Sequence, residues 1–281
     1  MSNANCELET LRSSLYGESL FITLLVTPLK QLIFFDAQWN KLSRVMQQIV
    51  DSWDDQYQKN KVLLELLTQL PPEQYARVRI QVHFQAQAWP LLLSSPKERA
   101  SLSWEVVVRI TPIVFALEQV PMKRVAPYIR VLDSRLMLDC KVGSYGFESL
   151  NFLTKNFPKN IDDYLWINPD QSFRECSTSN IFVRLKTGEW ITPPAKECYQ
   201  GVTRQHLLCW LVNRGYQVSE DKISLQDLGQ IAYVLFTNAI QIMGLMYLES
   251  MVEVTQQEKE NIRQLRSDFY LEMLATTSRR L

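Results

Sequence analysis

Four short segments carry residue types that could do chemistry together. Lys141 lies among small residues and one aromatic, in Lys141-Val142-Gly143-Ser144-Tyr145-Gly146. A lysine shielded from water has a depressed pKa, and its neutral amine can attack a carbonyl. Glu175-Cys176-Ser177-Thr178-Ser179-Asn180 sets a carboxylate beside a small polar turn that feeds an apolar strand. Gly201-Val202-Thr203-Arg204 stands just ahead of an amphipathic helix, where backbone N–H groups and a threonine hydroxyl suit a phosphate. Thr237-Asn238-Ala239 follows an apolar run, and the polar end of a strand is a common place for ligand contacts. Each also has a plain structural reading: a solvated turn lysine, hydroxyls that bond only their own turn, an N-cap at Thr203, and a loop with no role.

In order and spacing the segments resemble the class IV aminotransferases, the fold type IV enzymes that use pyridoxal phosphate. That family shows K-x-x-[NS]-Y, then E-x-[ST]-x-[ST]-N-[IL]-F, T-P-P, G-[IV]-T-R and a small polar turn after a strand. Here they are Lys141 to Tyr145, Glu175 to Asn180-Ile181-Phe182, Thr192-Pro193-Pro194, Gly201 to Arg204, and Thr237 to Ala239. Leu15-Tyr16-Gly17-Glu18-Ser19-Leu20-Phe21 is similar to the family's opening strand, so the resemblance spans roughly residues 10–250. It implies a role for each matching residue. Lys141 would hold the cofactor covalently and move the proton at the substrate carbon next to nitrogen. Glu175 would pair with the pyridine nitrogen and keep it protonated, so that the ring accepts electrons. Tyr145 would hydrogen-bond the ring hydroxyl oxygen, and Val202 and Thr203 would bind the phosphate. Asn238 and Ala239 would add phosphate or substrate contacts.

Three departures accompany the match. Where the family has arginine at the phosphate, in L-x-R-L, this chain has Trp39-Asn40-Lys41-Leu42, and a lysine cannot grip phosphate bidentately. The opening strand continues Phe21-Ile22-Thr23 instead of F-E-[TS]. The strand near residue 80 runs into His83-Phe84-Gln85 instead of T-R-G. There, Arg77, Arg79 and His83 suit a solvated strand face or a carboxylate site equally.

Three reactions are usual in the family: branched-chain aminotransfer, D-amino-acid aminotransfer and aminodeoxychorismate lysis. The R-x-H carboxylate trap of the D-amino-acid enzymes is not seen between His83 and Pro96. Thr237-Asn238-Ala239-Ile240 resembles the lyases' x-N-A-[LI] more than the T-G-T-A-A of branched-chain enzymes. The expectation is therefore a lyase that releases pyruvate from 4-amino-4-deoxychorismate to give 4-aminobenzoate for folate synthesis. An amino-acid aminotransferase, branched-chain or related, is the alternative, and a non-catalytic binding protein is the second.

The elements that must carry these residues follow from hydrophobic periodicity. Residues 19–26 read as a buried strand, 27–30 as a turn and 31–36 as a second strand. Trp39, Leu42, Met46, Ile49 and Trp53 step by three and four, which predicts a helix over about 38–58. Residues 75–84 alternate, with Val78, Ile80, Val82 and Phe84 inward and Arg77, Arg79 and Gln81 outward. Further strands are expected at 105–112, 164–167, 180–185, 190–192 and 231–236. A helix over 203–213 closes at Arg214-Gly215. A last helix, 256–275, turns Ile262, Leu265, Phe269 and Met273 inward. Residues 120–127 hold two prolines and read as a connection.

Strands and helices mix without strict alternation, so the fold class is α/β (α+β). The resemblance implies two lobes with the cofactor in the cleft between them: 1–119, a connection at 120–130, and 131–281 carrying the cofactor lysine. Neither a GxGxxG nor a P-loop pattern occurs. With 30 basic and 30 acidic residues among 281, no footprint for nucleic acid is visible. The five cysteines are irregularly spaced and the two histidines stand apart from any cysteine pair, so neither a disulfide framework nor a metal is expected. No secretory leader or membrane span is read. The implied setting is a cytoplasmic homodimer acting on a small-molecule substrate.

Overall fold

The computed structural model describes residues 19–84, 103–129, 141–142, 160–249, 251 and 253–281. In chain order the elements are β1 (Ser19–Val26), β2 (Gln31–Ile33), α1 (Phe35–Ile49), α2 (Asp55–Gln69), β3 (Ala76–Phe84), β4 (Trp104–Pro112), β5 (Met122–Ile129) and β6 (Lys141–Val142). There follow β7 (Asp163–Ile167), β8 (Phe173–Cys176), β9 (Asn180–Leu185), β10 (Trp190–Thr192), α3 (Val202–Asn213), β11 (Val218–Glu220), β12 (Ile231–Thr237), β13 (Gly244–Leu248), α4 (Gln256–Thr277) and β14 (Ser278–Arg280). They form two compact units. Among the described residues, the first takes those up to Ile113 with 141–142 and Ser278–Leu281, and the second takes 114–129 and 160–277.

The first unit is a sheet in the order β14-β2-β1-β3-β4, with β6 also paired to β1. Its core face is the one the alternation predicts. Leu20, Ile22 and Leu24 of β1 and Val78, Ile80 and Val82 of β3 pack with Phe35, Trp39, Leu42 and Met46 of α1. The other face departs from expectation. Arg77 is exposed, but Gln81 and His83 are buried. Gln81 Nε2 donates to Ser19 Oγ at 2.7 Å, and the Arg79 guanidinium lies 3.8 Å from the Phe21 ring centroid. Polar side chains thus cover this face by pairing across the strands.

The expected second strand and first helix are also redrawn. The strand stops at Ile33, because Phe34 takes a left-handed conformation (φ 58°) that turns the chain into α1. The single helix expected over 38–58 is two. The first ends at Ile49, where Val50 turns extended, and Asp54 caps α2, its side chain accepting from the Tyr57 N–H at 2.9 Å.

The second unit is a curled eight-stranded sheet, β11-β10-β9-β12-β13-β5-β7-β8. One face holds the core of Leu165, Phe173, Cys176, Ile181, Val183, Val234, Phe236 and Met246. The stretch read as a connection is instead β5, a strand inside this sheet. Pro127 is tolerated there because the ladder to β13 ends at Val125, so Pro127 is paired only on the β7 side. The expected grouping of Lys141 with the C-terminal half also differs from what is found. Lys141 pairs with Phe21 of β1 and belongs to the first unit.

In α4 the expected inward set holds at Ile262, Phe269 and Met273, but Arg266 and Tyr270 are buried with them and Leu265 is not. The Arg266 guanidinium donates to the Met243 and Ala116 carbonyls at 3.0 Å each, to the Leu117 carbonyl and to the Gln241 carbonyl at 3.5 Å. Arg266→Ala strands several buried carbonyls. It is expected to cost about 3 kcal/mol of stability, measured by denaturant unfolding.

Candidate active site

In the second unit the chemistry-bearing residues gather on the sheet face opposite the core. A bulge makes this possible. Trp166 pairs with Glu175 and Ile167 with Phe173, which leaves Arg174 as the extra residue. Phe173 and Cys176 both join the core, and Glu175 is left on the other face. Sequence reading placed this carboxylate at the start of a strand; it is the third residue of β8, and Asn180 opens β9. Glu175 is 4% exposed. Its Oε2 accepts from Asn180 Nδ2 at 3.0 Å and from the Tyr199 N–H at 3.1 Å. Asn180 Nδ2 also donates to the Tyr199 carbonyl at 2.6 Å. The carboxylate is thereby oriented by these two donors.

The N-terminus of α3 abuts this group. Its N-cap is Gly201, not Thr203, and no side chain caps it. A Cβ built on Gly201 would sit 2.3 Å from Asn180 Oδ1, so only glycine allows the helix to start this close. The first backbone N–H groups of a helix have no partner inside it, and they carry the positive end of its dipole. Val202 and Thr203 supply them here, both buried. Arg204, 2% exposed, stitches the helix down rather than reaching for a ligand. It donates to Thr192 Oγ1 at 3.3 Å and to the Pro193 carbonyl at 2.8 Å, and it pairs with Glu220 at 2.9 Å. Thr192 in turn donates to the Ile181 carbonyl at 2.8 Å.

Thr237 lies directly across from Asn180 in the β12–β9 ladder. The turn that follows is closed by Asn238, whose Oδ1 accepts from the Ile240 and Gln241 N–H groups at 3.0 and 2.8 Å. Its Nδ2 contacts Gln241 Oε1 at 3.4 Å. Thr237 Oγ1 donates to the Ile242 carbonyl at 2.5 Å, and Ile242 has a positive φ of 64°. Ala239 is half-buried in this turn. The second unit therefore brings together Glu175, Val202, Thr203, Asn238 and Ala239.

Lys141 and Lys41 are both in the first unit. Lys141 is half-buried on β6, in one row with Phe21 and Gln81. Lys41 is buried on α1, the helix that packs on the sheet's other face. Tyr145 falls outside the described residues. His83, near the Lys141 end of β3, is held at a pKa of about 4, first by burial and then by Arg109 and Arg79. An unfolded histidine takes a proton near pH 6.5, whereas this one does not until about pH 4. The unfolded state binds more protons in that window, so stability is expected to fall as pH drops from 6.5 towards 4. Unfolding midpoints at neutral and mildly acid pH check this, with a smaller drop in His83→Asn.

The Cys176 and Cys198 thiols are pushed up by burial, Cys198 to about 12, which leaves them poor nucleophiles. Among the described residues no cluster of His, Cys, Asp or Glu is placed to hold a metal ion. Nor is any described helix long and apolar enough to cross a membrane. Sequence reasoning missed Tyr199, whose role rests on its backbone, and Asp163, considered below.

The amino-transferase class IV family matches residues 19–245, most of the chain. The chain belongs to that family. Members are pyridoxal-phosphate-dependent enzymes, and this chain is one of them. Its fold is similar to that of a Legionella pneumophila protein provisionally named 4-amino-4-deoxychorismate lyase. That likeness has a TM-score of 0.71 and 16% identity, over 90% of this chain and 92% of that one. A branched-chain aminotransferase from Thermoproteus uzoniensis, with norvaline, gives 0.72 at 15% identity, over 92% and 89%. A hypothetical aminotransferase from Mycobacterium tuberculosis in its PLP-bound form gives 0.72 at 15%, over 94% and 92%. At such identities the likeness speaks to the fold. No curated protein matches the sequence significantly.

The second unit suits pyridoxal phosphate on its own chemistry. A buried, oriented carboxylate matches a ring N–H, and an uncapped helix N-terminus close to it matches a phosphate. The missing Cβ at Gly201 lets the two stand together.

Proposed function

We propose that this enzyme is a lyase that converts 4-amino-4-deoxychorismate to 4-aminobenzoate and pyruvate. The observation behind this choice is the turn at the end of β12, where Asn238 closes Thr237-Asn238-Ala239-Ile240 with its own carboxamide. The glycine of the branched-chain pattern T-G-T-A-A has no side chain to do this. The residue that separates the two sequence patterns is thus the one that closes this turn, which supports the lyase reading.

When bound, pyridoxal phosphate supplies an electron sink for negative charge at the substrate carbon next to nitrogen. Lys141 holds the cofactor and removes the proton from that carbon. The neighbouring carbon–oxygen bond then breaks, the enolpyruvyl group takes up a proton and leaves as pyruvate, and the ring becomes aromatic. Glu175 holds a proton on the ring nitrogen. Val202 and Thr203 bind the phosphate through the start of α3, and Tyr145 bonds the ring hydroxyl oxygen. Asn238 and Ala239 border the phosphate or the substrate.

Lys41 supplies a cation for the phosphate. Lys41→Arg, with its planar fork, is expected to tighten cofactor binding by about tenfold, read by titration of the apoenzyme. The enzyme acts as a homodimer in the cytoplasm.

The test is to supply aminodeoxychorismate to the cofactor-loaded protein and follow 4-aminobenzoate. Product at an enzymatic rate supports the lyase. A yellow protein that makes none but transaminates amino acids overturns it in favour of the aminotransferase. A protein that binds no cofactor favours the non-catalytic alternative.

A further inference from the structure

The turn joining β8 to β9 is fastened from outside by a charge pair of a buried aspartate and a half-buried lysine. Asp163, on β7, is 2% exposed. Its Oδ1 accepts from the Tyr164 N–H at 2.8 Å, from the Ser177 N–H at 3.1 Å and from the Ser177 hydroxyl. Its Oδ2 accepts from Lys123 Nζ at 2.9 Å and from Thr178 Oγ1 at 2.8 Å. Lys123, on β5, also donates to Thr178 Oγ1 at 2.8 Å, and its ammonium lies 4.8 Å from the Phe236 ring centroid. The Cys176 N–H closes the turn onto the Ser179 carbonyl at 2.8 Å. The serine and threonine hydroxyls therefore do not merely bond their own turn. They bond a carboxylate fourteen and fifteen residues earlier.

Withdrawing the Asp163 carboxylate from water is costly even with a half-buried lysine beside it, and apolar side chains often serve a fold as well. This pair does something an apolar pair cannot. It fixes Ser177 and Thr178, two of the three hydroxyl residues of the turn that separates Glu175 from Asn180. Those two must meet at 3.0 Å for the Glu175 carboxylate to be oriented.

We propose that Asp163 and Lys123 are positioning residues for Glu175, acting through Thr178 and Ser177 to set how strongly the cofactor's ring nitrogen holds its proton. The proposal rests on the reading of Glu175 as the ring-nitrogen partner. It gives Thr178 a role as the hydroxyl that links the charge pair to the turn.

The experiment uses Thr178→Val, Thr178→Ser, Asp163→Asn and Glu175→Gln in the full chain. Pyridoxal phosphate affinity and the pH dependence of the bound cofactor's absorption are measured beside the unfolding midpoint. Thr178→Val removes one hydroxyl and keeps the shape, so it remains informative should Asp163→Asn fail to fold. It is expected to weaken cofactor binding by about tenfold, the scale of losing one outer hydrogen-bonded support of a ligand-binding group. It is also expected to shift the absorption profile in the direction that Glu175→Gln does, and Thr178→Ser should restore both. A Thr178→Val protein with a lowered midpoint but wild-type affinity and profile, beside a shifted Glu175→Gln, overturns the proposal and makes the pair purely structural. If Glu175→Gln itself leaves affinity and profile unchanged, the ring-nitrogen reading fails and takes this proposal with it.

Discussion

Lys141→Ala is expected to lower product formation by about ten-thousandfold or more, because it removes both the covalent hold on the cofactor and the acid–base group. Reductive trapping of bound cofactor, followed by peptide mass mapping, should place the label on Lys141 in the wild type and nowhere in the variant. The fold should survive. Lys141 is half-buried on a two-residue strand, and its ladder contact with Phe21 is made by backbone. An active Lys141→Ala protein would refute the assignment of the reaction to this lysine.

Glu175→Gln has the second-largest expected effect, and its design follows from geometry. The glutamine carbonyl can still accept from Asn180 Nδ2 and the Tyr199 N–H, so the local hydrogen bonds are kept. What is lost is the negative charge, and the remaining amide N–H₂ is a donor that opposes a ring N–H. The rate should fall by about a hundredfold or more, the size attached to one preorganised electrostatic partner. The unfolding midpoint should change little. A fully active Glu175→Gln would move the ring-nitrogen partner elsewhere.

Strand β1, strand β3, the β9–β10 hairpin, α3 with its Gly215 exit and most of α4 could be read in the sequence. Each is long enough for its period to show, or is punctuated by a turn glycine. The elements that escaped each break that signal. In β8 the bulge at Arg174 interrupts the alternation. Pro127 disguises β5, and β14 is the polar run Ser278-Arg279-Arg280 at a sheet edge. The apolar step of the single helix expected over 38–58 runs on to Trp53, past the end of α1 at Ile49, and only the cap at Asp54 reveals a second helix.

The motif letters located Glu175, Asn180 and Gly201, whose joint geometry they could not give. The buried charges had no local signature at all. Arg266 reaches the Ala116 carbonyl 150 residues away, and Asp163 bonds Lys123 on β5 and the turn that follows β8. Such contacts are created by topology, and periodicity carries no record of them.

The pairing of β14 with β2 has a consequence for synthesis. Gln31 and Ser278 touch across 247 residues of sequence. As the chain leaves the ribosome, β2 waits with one side of its backbone unclaimed while the residues between Gln31 and Ser278 are made. An exposed strand edge is an invitation to pair with a neighbouring nascent chain. Crowded expression should therefore be hardest on the first unit, and slowing initiation, which spaces the ribosomes, should raise the yield of correctly closed molecules.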